Sequence, residues 1–189
     1  MSYKSGEAGC QSVDDAGGAG MSITPVIRAA FSKSGLGQSW LDEPTVKSQL
    51  YAAATQAGYQ VCELVPRQGL YRSYGFARLR SGTDEIFLLV SDYGQVVAVL
   101  PGDTELDNAG HRAALRVFSG VKTWLSPDAL VRNVRHFWST AYFALPLELE
   151  SELSQQDLDH IAQCDDWLSG NLPRWSPRSA GDVIFNFWD

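Results

Sequence analysis

Asp103, Glu105, Asp107 and His111 fall together in the stretch PGDTELDNAGH over 101–111. Carboxylates beside an imidazole can orient it for general-base work, and the same oxygens can hold a divalent cation. This loop is therefore the place to expect catalysis if the chain is a small hydrolase-type enzyme. The plainer reading is a polar connection in which Asp107 caps a helix, because loops between apolar elements are ordinarily polar.

A second constellation is His160 and Cys164, four apart, with Asp157 three residues before His160. On a helix these positions share one face. The types and spacing suit zinc ligation, but a closed site needs third and fourth ligands and no second Cys/His pair follows. No metal and no cofactor is expected. His136, beside Phe137 and Trp138, reads as a hydrogen-bonded structural histidine, and Cys62 as a small core residue.

Motifs that mark large enzyme classes are missing. The chain has no Gly-x-x-x-x-Gly-Lys phosphate cradle, Gly-x-Gly-x-x-Gly turn, Gly-x-Ser-x-Gly elbow or His-Glu-x-x-His zinc helix. Arg67, Arg72, Arg78 and Arg80 are interleaved with Tyr71, Tyr74 and Phe76. Such a pattern on a sheet can stack single-stranded nucleic acid. A net charge of −7 opposes that use, and it equally opposes an anionic membrane. The arginines are expected instead to guard a strand edge or to pair with acidic helices.

The most uneven feature is the placement of charge. From His136 to Pro173 there is no Lys or Arg, while Glu148, Glu150, Glu152, Asp157, Asp159, Asp165 and Asp166 all lie there. This stretch thus holds the whole net charge of −7, and the remainder balances at fifteen residues of each sign. The preceding segment, with Arg112, Arg116, Lys122, Arg132 and Arg135, is locally basic. A solvated helix face, or pairing of the two segments, accounts for the acids without a partner. A docking surface for a basic protein accounts for them with one, with Trp167 and Trp175 as aromatic anchors among carboxylates. Phe185, Phe187 and Trp188 lie nearby in sequence.

The elements that must position these residues follow from periodicity. Residues 1–20 are rich in Gly, Ala, Ser and acid, and are expected to form a disordered tail. Met21-Ser22 echoes Met1-Ser2. Residues 21–189 are expected to form a single α+β domain. Thr24 and Pro25 can open a first helix, its hydroxyl capping, with Gly35 as terminator. Pro44 opens a second, with Val46, Leu50, Tyr51, Ala54 and Ala57 on its apolar face and Gly58 as its end.

The period then changes. Strands are predicted over 59–65, 74–80, 85–91 and 96–100, joined by compact turns in an antiparallel meander of three or four strands. Helical spacing returns at 113–118, after Ser126-Pro127-Asp128, and from a Ser154 cap through Leu168. Gly170, Pro173 and Pro177 are expected to break the chain, and 182–189 to form a last strand or a docked tail. The class is α+β, with N-terminal helices, the meander, and C-terminal helices packed on one face.

No run of about 18 apolar residues suggests a membrane span, and the N-terminal stretch lacks the basic-then-apolar layout of a secretory signal. Three cysteines make no disulfide framework, so a reducing cytoplasm is the expected setting. In size, charge and element order, though in no motif, the chain is similar to small acidic inhibitors such as the immunity proteins that neutralise toxic nucleases, and to acidic secretion chaperones. The function expected is an acidic protein-binding module that sequesters a basic partner, a toxin or a secreted effector, with no nucleic acid and no membrane involved.

Overall fold

In the β3 strand, Asp84–Ser91, successive side chains take opposite sides without exception from Ile86 to Val90. Ile86, Leu88 and Val90 enter one core, while Phe87 and Leu89 enter the other. The computed structural model describes residues 22–32, 40–66, 73–102, 124 and 128–185. The β4 strand, Val96–Pro101, repeats the division, with Val97 and Val99 against Val96, Ala98 and Leu100. A continuous apolar run, and not simple alternation with polar residues, is what a strand covered on both faces requires.

The β1 strand, Gln60–Val65, and β2, Tyr74–Ser81, precede these two, and the four form an antiparallel meander in the order β1-β2-β3-β4. Gly82, at φ +60°, supplies the left-handed turn of the β2–β3 hairpin. A bulge between Val61 and Glu63 leaves Cys62 exposed, so Cys62 is not the core residue its strand position suggests. A fifth strand, β5 at Tyr142–Phe143, joins β4 in parallel, which the periodicity did not indicate.

Two helices precede the sheet. In α1, Pro25–Ala30, the residues Val26, Ile27 and Ala30 are buried. Beyond a short 3₁₀ turn at Trp40–Asp42, α2 runs Pro44–Gln56 and ends before Gly58 at φ +78°. Its buried residues are Val46, Leu50, Ala53 and Ala54, and Tyr51 faces outward, in contrast to its expected place on the apolar side. Helix α3, Asp128–Phe137, packs with α2 through Leu130 and Val134 on the Leu88 side of the sheet. His136 is exposed there, its ring edge-on to Phe137, so it is no buried structural histidine.

The remaining helices, α4 (Pro146–Glu150), α5 (Gln155–Cys164), α6 (Asp166–Trp175) and α7 (Ala180–Ile184), join α1 on the Leu89 side. The order of helices, meander and helices makes the α+β class plain. The C-terminal group from α4 onward shares one face, and α3 covers the other.

Two local expectations change. The helix from Ser154 stops at Cys164 because Asp165 leaves helical geometry, at φ −145°, and starts α6 as its cap. α6 then runs through Gly170 and Pro173, since buried Leu168 and Leu172 hold it to the core and the missing proline N–H falls in its last turn. Residues 180–184 are helical and not a strand, capped by Ser179. The Ser73 and Ser91 hydroxyls each donate to the Ile184 carbonyl at 2.9 Å, satisfying an end group of α7 inside the core.

Candidate docking surface

The seven acids of 148–166 separate into two groups once their helices are placed. Ser154 and Asp157 form a capping box on α5, the Ser154 hydroxyl accepting from Asp157 N at 3.1 Å. Asp157 is only 1% exposed. Its Oδ2 accepts from Ser154 N at 2.9 Å, Ser154 Oγ at 2.7 Å and Thr24 Oγ1 at 3.0 Å, and its Oδ1 accepts from Thr24 N at 2.7 Å. Burial raises its pKa, but these hydrogen bonds from Ser154 and Thr24 outweigh it and hold the carboxyl below its usual value. Asp157 is thus a latch between α1 and α5, and its burial removes it from any contact surface. Thr24 gives its hydroxyl to this latch and not to capping its own helix.

Asp165 likewise faces backbone, accepting from Trp167 N and Leu168 N at 3.0 Å each as the α6 cap. Glu148 accepts from Leu145 N at 2.8 Å and from the Tyr142 hydroxyl at 2.6 Å, tying α4 to β5. Burial first, and then this bond to an anion, push the Tyr142 hydroxyl up to about 12. These acids sit at helix N-termini, where the exposed N–H groups and the macrodipole favour negative charge.

Glu150, Glu152, Asp159 and Asp166 form the second group, and all are exposed. Asp159 accepts from the Gln155 side chain at 2.8 Å. Among the described residues, no Lys or Arg forms an ion pair with any of the seven acids. Arg78 and Arg80, the expected counter-charges, lie on the sheet and pair with Glu63 and Glu85 instead.

The apolar contacts differ in part from those the sequence offers. Trp167 is 44% exposed, and its ring lies 5.1 Å from that of Trp175, which is half-buried against the core. Phe185 is buried between Tyr74 and Trp124 and cannot anchor a partner. Leu145 and Leu147, at 54% and 81% exposed, were not singled out by periodicity. Helix α4 is one turn long, so Leu149 alone points into the core while Leu147 and Glu150 share the outer side. The available signal was the alternation Leu-Pro-Leu-Glu-Leu-Glu over 145–150, too apolar for a stripe that buries one residue.

Asp103, Glu105, Asp107 and His111 lie outside the described residues, as do the predicted helix at 113–118, Phe187 and Trp188. Among the described residues, no group of three or more His, Cys, Asp or Glu is arranged to hold a metal ion, and no helix is long and apolar enough to cross a membrane. No family model, curated protein or solved structure matches this chain.

Proposed function

We propose that this chain is a protein-binding module that sequesters a basic protein partner through the exposed part of its acidic C-terminal region. The observation that carries the reading is that Glu150, Glu152, Asp159 and Asp166 stand in solvent with no described Lys or Arg paired to them. Unmatched carboxylates raise the rate of encounter with a basic surface and select against acidic ones. Leu145, Leu147 and Trp167 supply exposed apolar area in the same C-terminal region, and apolar anchors carry most binding free energy. Asp157 and Asp165 belong to the scaffold, Glu148 ties α4 to β5, and Trp175 packs between Trp167 and the core.

An inhibitor of a basic toxin, or a chaperone of a basic secreted effector, fits this chemistry, acting in a reducing cytoplasm. The test is capture of partners from source lysate with the wild type and with the variant E150Q/E152Q/D159N/D166N. The association rate of the captured protein is then followed as salt rises from roughly 0.01 to 1 M, where the screening length falls from about 30 to 3 Å. A partner lost with the four charges, and a steep fall of the rate with salt, is the expected outcome. A rate indifferent to salt overturns the reading.

A further inference from the structure

On α5, the Cys164 sulfur lies 4.0 Å from the His160 Nε2. A zinc ion held at about 2.3 Å by sulfur and about 2.0–2.1 Å by imidazole, at a tetrahedral angle, places its two ligand atoms roughly 3.6 Å apart. The pair therefore stands about 0.4 Å from chelating separation, a gap that small side-chain rotations close. Helical spacing produces this approach, since residues four apart stack on one face. Both side chains are half-buried, which holds their rotamers without sealing them from solvent.

The groups around the pair act in both directions. Burial first, and then Arg28, lower the His160 pKa, while Asp157 opposes them. A neutral imidazole is the form that ligates metal. Arg28 weakens the attraction of a cation, and the Asp157 carboxylate restores part of it without being a ligand, because its oxygens are taken by Ser154 and Thr24. No third His, Cys, Asp or Glu completes a group with this pair among the described residues.

We propose that His160 and Cys164 form a two-ligand site for a thiophilic divalent cation, Zn²⁺ being the ion whose ligand distances fit, with one ion per chain. Coordination releases the thiol proton to solvent and leaves the remaining positions open. The site differs from a closed structural zinc centre, which needs four protein ligands.

The experiment is a Co²⁺ titration of the full chain, followed by the near-ultraviolet thiolate-to-cobalt absorption, with Zn²⁺ as competitor. The expected result is a saturable band of one Co²⁺ per chain, displaced by Zn²⁺. C62S should leave the band unchanged, C164S should abolish it, and H160Q should weaken binding by at least about tenfold, the lower end of what losing even an outer-shell partner costs. Should C164S fail to fold, protection from iodoacetamide decides: Zn²⁺ is expected to shield Cys164 and leave Cys62 reactive. A band that survives C164S, an affinity untouched by H160Q, or one ion shared by two chains in a metal-dependent dimer overturns the proposal, as does the absence of any thiolate band.

Discussion

On the sheet, Arg78 lies 3.4 Å from Glu63 and 3.6 Å from Glu85, and Arg80 lies 2.7 Å from Glu85, so the cations of β2 meet carboxylates on both neighbouring strands. Along α4, α5 and α6 the same kind of carboxylate meets backbone N–H groups, hydroxyls or water instead. Register causes the first arrangement: Glu63 and Arg78 are directly paired across β1 and β2, and Arg80 and Glu85 across β2 and β3. Chain order causes the second, because helices that begin with Ser-x-x-Asp or Asp-Asp place acids where N–H groups are unsatisfied. Net charge is therefore a poor guide to available charge. Asp157, Asp165 and Glu148 are committed to N–H groups at helix starts, whereas Asp166, although also in a first turn, stands exposed with Glu150, Glu152 and Asp159.

The largest effect expected from this contrast is at Asp157. D157A removes the acceptor for Thr24 N–H and Ser154 N–H within the core and should lower stability by about 3 kcal/mol in denaturant unfolding. D159A, two residues away and exposed, should change it by less than about 0.5 kcal/mol. Equal effects at the two positions would break the division between committed and available acids. The pH dependence sharpens it. Because the folded pKa of Asp157 is depressed, its contribution is complete above the ordinary carboxylate value of 3.8 and disappears as pH falls through the folded value. His160, also depressed, costs stability as pH falls below its ordinary 6.5, because the unfolded chain takes up that proton first. Wild type should thus lose stability in two acid steps, and D157A should lack the lower one.

A smaller effect is expected at Glu148. E148Q keeps an acceptor for Tyr142 but removes the anion, so the phenol's titration, read from its near-ultraviolet absorbance, should fall from about 12 and yet stay above the ordinary 10.0. Burial is the larger cause of the shift and survives the substitution. The folded state gains from this raised pKa below the ordinary value and loses that gain as pH climbs toward about 12. A return of the midpoint to 10.0 would show that charge, and not burial, ties β5 to α4.

Much of the fold was legible because period and punctuation agree. Pro44 and Gly58 bound α2, Gly82 turns the β2–β3 hairpin, and the apolar run from Ile86 to Val90 announces a strand buried on both faces. What was less legible depended on contacts distant in sequence. Nothing near Thr24 indicates that its hydroxyl will serve Asp157, 133 residues away. The β5 strand is two residues long and exists only because β4 offers a free edge. Cys62 is turned outward by a bulge that no residue type marks. At the candidate docking surface the Ser154 cap was expected, but the reciprocal bond that turns Asp157 inward was not, and Asp157 was expected among the outward acids. The exposure of Leu145 and Leu147 depends on how a one-turn helix sits, and periodicity over five residues does not decide that.

The smallest stability effects should come from the outer charges, and their smallness is the informative result. R80A exposes no core and breaks a pair whose guanidinium is half in solvent, so only a small loss is expected. For E150Q/E152Q/D159N/D166N, unfolding stability should stay level or rise slightly, since the variant relieves repulsion among like charges and removes no ion pair found in the described residues. Stability measured against salt separates the two regions further. Screening weakens attraction at Arg80–Glu85 and repulsion among the helix acids, so added salt should help the wild type more than the four-charge variant. If the variant were instead destabilised by several kcal/mol, those carboxylates would be holding the fold together, and they would no longer be free to hold anything else.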